Sequence, residues 1–210
     1  MSIKKASDKL EHRTLKCEFR AAAEADGKIR FAGHAAVFDT PEDIGGMFIE
    51  QINKGAFTRA IKEDDVRALF NHDSNHVLGR NVAGTLRMSE DEKGLAVEID
   101  APDTQTARDL KVSVERGDIN QMSFGFIPTK EEWNWDSDPV KRTILEVRLY
   151  DVSIVTYAAY PQTDVSARTL DTARKEKELK DAEAKAKDAE ANKNHLDLLR
   201  RQVELNEKEM

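Results

Sequence analysis

The stretch that decides the reading is Asn120-Gln121-Met122-Ser123-Phe124-Gly125-Phe126-Ile127-Pro128-Thr129. Apolar and aromatic residues alternate with small ones, which is the pattern of a half-buried strand, and Pro128 is expected to close it. Successive side chains of a strand point to opposite faces. Met122, Phe124 and Phe126 therefore share one face, and Ser123 and Gly125 share the other. A hydroxyl beside a residue with no side chain leaves space, enough for a substrate backbone. Most serines in strands are filler, so this one needs company. It finds it in Leu69-Phe70-Asn71-His72-Asp73 and in Glu146-Val147-Arg148-Leu149-Tyr150-Asp151-Val152-Ser153. A serine hydroxyl is a weak nucleophile until a base takes its proton, and a third group must orient that base.

Working outward, residues 14–23 and 28–38 read as strands joined by a tight turn at Ala25-Asp26-Gly27. Residues 40–46 read as a loop. Asn53 can cap a short helix over 54–62, with Phe57 and Ile61 on its buried face. Residues 66–71 read as a strand delivering His72, and 85–88 with 95–101 as a hairpin. Asp103 or Thr104 caps a helix through Glu115, stopped by Gly117, with Ala107, Leu110 and Val114 at helical spacing. Residues 130–142 read as a long polar hairpin tip, followed by strands over 143–150 and 151–157. The fold class is mainly β with helices: a β-barrel or folded sheet surrounded by helices.

From about Leu170 onward there is no Gly, Pro or aromatic residue, and Ala, Glu, Lys and Leu dominate. This predicts a long C-terminal helix. Its middle is polar, its heptad is not sustained, and Leu196, Leu199, Val203 and Leu205 form an apolar patch near the end. The expected organisation is a flexible arm over 1–13, a β domain over 14–168 that carries the serine, and a helical tail over 169–210.

Composition sets limits. The chain has 210 residues and a net charge of −7, which argues against general nucleic-acid binding. No apolar run approaches a membrane span, and residues 1–9 lack the apolar core of a signal peptide, so an intracellular setting is expected. Cys17 is the one cysteine, which excludes a disulfide framework and a cysteine metal site. His72 and His76 form H-x3-H around Asp73, a metal-binding spacing on a helix. Here Asn71, Ser74, Asn75 and Gly79 make a loop and no third ligand is evident, so neither metal nor cofactor is expected.

The chain resembles the prohead (capsid maturation) proteases of tailed bacteriophages, a family related in fold to the herpesvirus assembly proteases. The matching residues are Gly33-His34-Ala35-Ala36-Val37-Phe38, Phe70-Asn71-His72-Asp73 with Leu78-Gly79, Met122-Ser123-Phe124-Gly125-Phe126, and Asp151-Val152-Ser153-Ile154-Val155-Thr156 with Pro161. The resemblance runs from about residue 14 to 167. It implies a herpesvirus-protease-like fold and a serine endopeptidase that enters the prohead from the host cytoplasm. Such an enzyme cleaves the major capsid protein or its scaffolding segment, and itself. It implies Ser123 as nucleophile and His72 as base; His76 falls in the following loop, His12 and His195 in arm and tail, and His34 reads as structural.

In the herpesvirus relatives the third member is a second histidine, and no histidine occupies that region here. In the phage family the position is acidic, which leaves Asp151 and, as the alternative, Glu146. A regular strand puts Leu145, Val147, Leu149 and Asp151 on one side and Glu146 and Arg148 on the other. An acid in phase with an apolar face must have a buried partner, which favours Asp151; a bulge at Tyr150 would reverse the phase. Glu146 reads as exposed and near Arg148. The G-x-S-x-G elbow of α/β-hydrolases is absent, because Gln121 stands where its first Gly should be. The rival reading is a non-catalytic scaffold or assembly protein acting through its C-terminal helix, which in either reading is a surface for self-association or helix-mediated assembly.

Overall fold

The computed structural model describes residues 10–15, 19–23, 28–157 and 163–208. It is mainly β, with two sheets and three α-helices. The strands are β1 (Glu11–Leu15), β2 (Phe19–Ala23), β3 (Ile29–Val37), β4 (Glu42–Asp43), β5 (Ile49–Ile52), β6 (Arg67–Phe70), β7 (Asp73–Arg80), β8 (Leu86–Glu90), β9 (Gly94–Ala101), β10 (Gln121–Asn134) and β11 (Lys141–Val155). The helices are α1 (Thr58–Glu63), α2 (Gln105–Glu115) and α3 (Thr163–Lys208). One sheet runs β1-β10-β11-β5-β4, with β6 also on β11 and β7 on β6; the other runs β2-β3-β9-β8. Among the described residues the architecture is thus two separately paired sheets, not one closed barrel.

The inner faces share one core. Phe31, Leu95, Val97 and Ile99 of the second sheet meet Met122, Phe124, Phe126, Val152 and Ile154 of the first. Phe57 seals one side, edge-on to Phe124 with centroids 5.5 Å apart. Ala107, Leu110 and Val114 of α2 are buried as their spacing predicts, Thr104 caps the helix by accepting from Ala107 N, and Gly117 follows it with a positive φ of 82°.

Several boundaries differ from the sequence reading. Residues 11–13, expected in an arm, open β1, because Glu11 and Arg13 find buried partners. The single strand expected over 14–23 is two strands in two sheets. The turn at residues 25–27 lies outside the described residues. A two-residue bridge, β4, interrupts the expected loop at 40–46, and residues 49–52, which carry no strand expectation, form β5. Asn53 does not cap α1, which starts later, after Phe57 with no side-chain cap. The expected loop carrying His76 is strand β7. Pro128 does not close β10: the register shifts between Pro128 and Lys130, and a bulge tolerates a residue without N–H. Residues 141–155 form one strand, not two.

Strand β11 has two parallel partners along one edge: β5 on 141–144 and β6 on 151–154. Between them the chain leaves the sheet through α1 and still satisfies the edge. Val147 N donates to Ala56 O, Leu149 N to Asp64 Oδ2, and Arg59 Nη2 to Val147 O.

The chain divides into two compact units, Met1–Arg168 and Thr169–Met210. Helix α3 begins at Thr163, earlier than expected, and its residues 177–193 are exposed. Leu196 is exposed; the side chains of Leu199, Val203 and Leu205 lie outside the described set. Among the described residues no helix is long and apolar enough to cross a membrane.

A buried ion network ties β1, β5, β10 and β11 together. Arg142, with no exposed surface, donates to both oxygens of Glu11 (2.9 and 3.0 Å), to Glu50 (2.7 Å) and to Glu131 (2.6 Å). Arg13 donates to Glu11 (2.6 Å) and Glu50 (2.5 and 3.0 Å). Burial pushes the Glu11 carboxyl up, but Arg142 and Arg13 outweigh it and hold it below the usual glutamate range. A depressed carboxyl stabilises the fold above its unfolded pKa and loses that contribution as pH falls through the folded one. Removing one partner strands buried charges, so Arg142→Ala is expected to cost about 3–5 kcal/mol in chemical denaturation. The wild type should lose stability on acidification through and below the carboxylate range, and Arg142→Ala should lose less.

Candidate active site

Ser123 and Asp151 reach each other because β10 and β11 pair antiparallel, Ser123 opposite Ser153 and Gly125 opposite Asp151. Directly opposed residues share a face. Beyond Gly125 the register shifts: Phe126 opposes Leu149, and Tyr150 is the extra residue. This bulge turns Asp151 and Ser153 onto the Ser123 face while Leu149, Val152 and Ile154 all stay in the core. The phase expected from the sequence therefore fails. Asp151 does not share a face with Val147 and Leu149, and Leu145, the extra residue of a second shift, is not one of the buried set.

His72 arrives from the end of β6. Asn71 and His72 take left-handed φ values of 54° and 57°, uncommon for residues with a side chain. Three hydrogen bonds hold the turn: Asn71 N to Ile154 O (2.9 Å), Thr156 N to Asn71 Oδ1 (2.9 Å) and Asn71 Nδ2 to Thr156 Oγ1 (3.2 Å). The imidazole then bridges two strands. Its Nε2 lies 2.7 Å from Ser123 Oγ and its Nδ1 2.6 Å from Asp151 Oδ1. Asp151 is buried, so the proton of the neutral ring belongs on Nδ1, facing the carboxylate, and Nε2 presents its lone pair to the hydroxyl.

The expectation of open space beside Ser123 is not met. Ser123 has no exposed surface, and the room left by Gly125 is taken. A Cβ there would collide with Asp151 Oδ2 and lie 3.1 Å from His12 Nε2. Gly125 makes room for the carboxylate, not for a substrate.

Two site residues escaped the sequence reading. Ser153 donates Oγ–H to Asp151 Oδ1 at 2.6 Å; its signal was Asp-x-Ser on one strand face. His12 comes from β1, opposite Gly125, and its ring packs on that of His72 with centroids 4.1 Å apart. Burial, then the nearby His72, lowers its pKa from the ordinary histidine value. A charged N-terminal segment gave no sign of it. His76 stays away, 3.4 Å from Asp73 Oδ2, and His34 lies 2.8 Å from Asp91. Glu146 is bonded to Lys130 Nζ (2.6 Å), Thr129 Oγ1 (2.9 Å) and Arg59 Nε (3.2 Å), not to His72. It is half-buried rather than exposed, and the Lys130 hydrogen bond holds its pKa below the usual range. Arg148, its expected neighbour, sits over the Tyr150 ring at 5.4 Å.

An imidazole bridging a serine and a carboxylate, on paired strands, is the arrangement of a serine hydrolase site. The family profile described as caudovirus prohead serine protease matches residues 16–178, most of the chain, and the chain belongs to that family. It is also similar to the prohead protease of Enterobacteria phage HK97, 28% identical over 139 residues, which is 65% of this chain and 59% of that protein. The match therefore spans less than two thirds of that relative's length. No solved structure matches the chain.

The fit of Gly125 to Asp151 is directly testable. Gly125→Ala should push the carboxylate off His72 Nδ1. The low-field proton NMR signal of a histidine bonded to a carboxylate should be present in the wild type and shifted or lost in the variant, with the circular dichroism spectrum unchanged.

Proposed function

We propose that this chain is the serine endopeptidase of prohead maturation, with Ser123 as nucleophile, His72 as general base and then acid, and Asp151 as the group that holds the imidazole. The observation that carries it is the pair of contacts made by His72, to Ser123 and to Asp151, within a chain of the prohead protease family. Nε2 takes the hydroxyl proton as Oγ attacks the scissile carbonyl, and Asp151 stabilises the imidazolium that forms. Nε2–H then protonates the leaving amine, and water hydrolyses the acyl-enzyme by the same relay in reverse. No cofactor takes part. Ser153 donates to the same carboxylate oxygen, Oδ1, so the acid is held by two donors.

Substrates in this reading are the major capsid protein or its scaffolding segment, and the chain itself; the setting is the prohead interior, reached from the host cytoplasm. Helix α3, exposed over residues 177–193, is a surface for self-association or assembly, and a herpesvirus-protease-like fold belongs to the same proposal. Because Ser123 is covered, a substrate carbonyl reaches Oγ only after a covering segment shifts.

Ser123→Ala should abolish cleavage of a capsid-protein substrate and labelling by a fluorophosphonate probe while leaving the melting temperature within a few degrees. Normal processing by that variant would overturn the assignment. Asp151→Asn should lose about 10⁴-fold in kcat, as expected for a triad acid, whereas Glu146→Gln should keep activity within a few-fold; the reverse ranking would move the third role to Glu146. The rate should fall on acidification, since only neutral imidazole accepts the serine proton. A flat profile between about pH 5 and 8 would exclude a histidine base.

A further inference from the structure

Three ligand atoms meet beside Ser123: one each from His12, His72 and Asp151, all within 4.8 Å of one another. Each is fixed by a different strand or strand end, β1, β6 and β11. Two imidazoles and a carboxylate are the donor set of many zinc sites. The hydrogen bonds do not use every ligand atom of the cluster. His72 and Ser153 both engage Asp151 Oδ1, whereas Oδ2 and His12 Nε2 border the position where Gly125 lacks a side chain. His12 also lies before residue 16, where the family match begins, so the cluster is a property of this chain beyond the matched segment.

We propose that His12, His72 and Asp151 form a zinc site whose occupation silences Ser123. The inhibitory consequence rests on the serine-protease reading; the binding does not. Ligands of a tetrahedral zinc at about 2.0–2.2 Å stand roughly 3.3–3.5 Å apart. The three atoms, now within 4.8 Å of one another, would take that spacing once His72 Nδ1 and Asp151 Oδ1 open from 2.6 Å. Zinc on Nδ1 takes the lone pair there and displaces the Nδ1 proton. The neutral ring then carries its proton on Nε2 and can only donate to Ser123 Oγ. The serine loses its base, and Asp151 loses the donor it orients. The ion enters as a free divalent cation and leaves to a chelator, with no redox change.

The test uses the full chain in two forms. Ser123→Ala, which cannot process itself, is titrated with zinc by calorimetry and with cobalt(II) by visible absorption. One metal per chain is expected, with the intense bands of a tetrahedral site, and magnesium, an oxygen-seeking ion, should not bind. Zinc should raise the melting temperature of this variant and not that of Ser123→Ala with His12→Gln, whose own melting transition shows that it folds. In the active enzyme, buffered free zinc should inhibit peptide cleavage, the chelator should restore it, and His12→Gln should raise the half-inhibiting zinc concentration at least about tenfold. His76→Gln should leave that concentration unchanged. No zinc binding by Ser123→Ala, or equal binding without His12, overturns the proposal. Should the wild type cleave nothing, the serine-protease reading fails, and calorimetry alone still decides the metal site.

Discussion

The antiparallel pairing of β10 with β11, and the single extra residue Tyr150 within it, is the constraint on which the rest depends. A β-strand has two faces and a period of two, so an acid two residues from a core leucine belongs in the core. One unpaired residue breaks that rule. Below the bulge β11 packs Val147 and Leu149 inward; above it Val152 and Ile154 point inward, and Asp151 and Ser153 point out toward Ser123. Without the shift, either Asp151 would be buried among aromatics or the upper half of β11 would present its apolar residues to the wrong side. A charge buried without partners costs several kcal/mol, so the bulge is as much a condition of folding as of the site.

Strand β1 carries the second half of the design. It alternates residues with two different tasks. Glu11 and Arg13 face the buried arginine network, and His12 between them faces His72 and Asp151. One short strand thus couples an internal charge cluster to the flank of the site. Ion pairs this deep contribute little net stability compared with an apolar packing of the same shape, but they punish wrong pairings heavily. In the register that seats Glu11 and Arg13 in this network, His12 stands opposite Gly125.

Much of this was legible in the sequence, and the exceptions have identifiable causes. Apolar periodicity located α2 and the inward faces of β9 and β10, because burial there follows one simple period. A serine, a histidine and an acid stood out because each sits at or next to a strand, and the family resemblance singled out His72 and an acidic third position. Asp151 is the acid brought to His72, but not for the reason strand phase suggested. That phase holds only for a regular strand, and the bulge at Tyr150, the one irregularity that reverses it, is present. His12 was unreadable because the polar residues around it look like a solvated arm. Glu11 beside it is in fact buried by a partner more than a hundred residues away. Pro128 misled for the opposite reason: a breaker ends a strand only where its missing N–H matters, and it falls at a register shift.

The excursion through α1 has one more consequence, for how this molecule breathes. The amides of Val147 and Leu149 are bonded not to a neighbouring strand but to Ala56 and to the Asp64 side chain. When that short helix lifts, those two protons meet solvent, while the amides that β11 shares with β10 stay locked in the ladder. Isotope exchange along this single strand is therefore expected at two rates, the faster one timing the helix rather than the sheet. The helical detour between β5 and β6 works as a window in an otherwise closed edge, set within a few positions of the acid that holds His72.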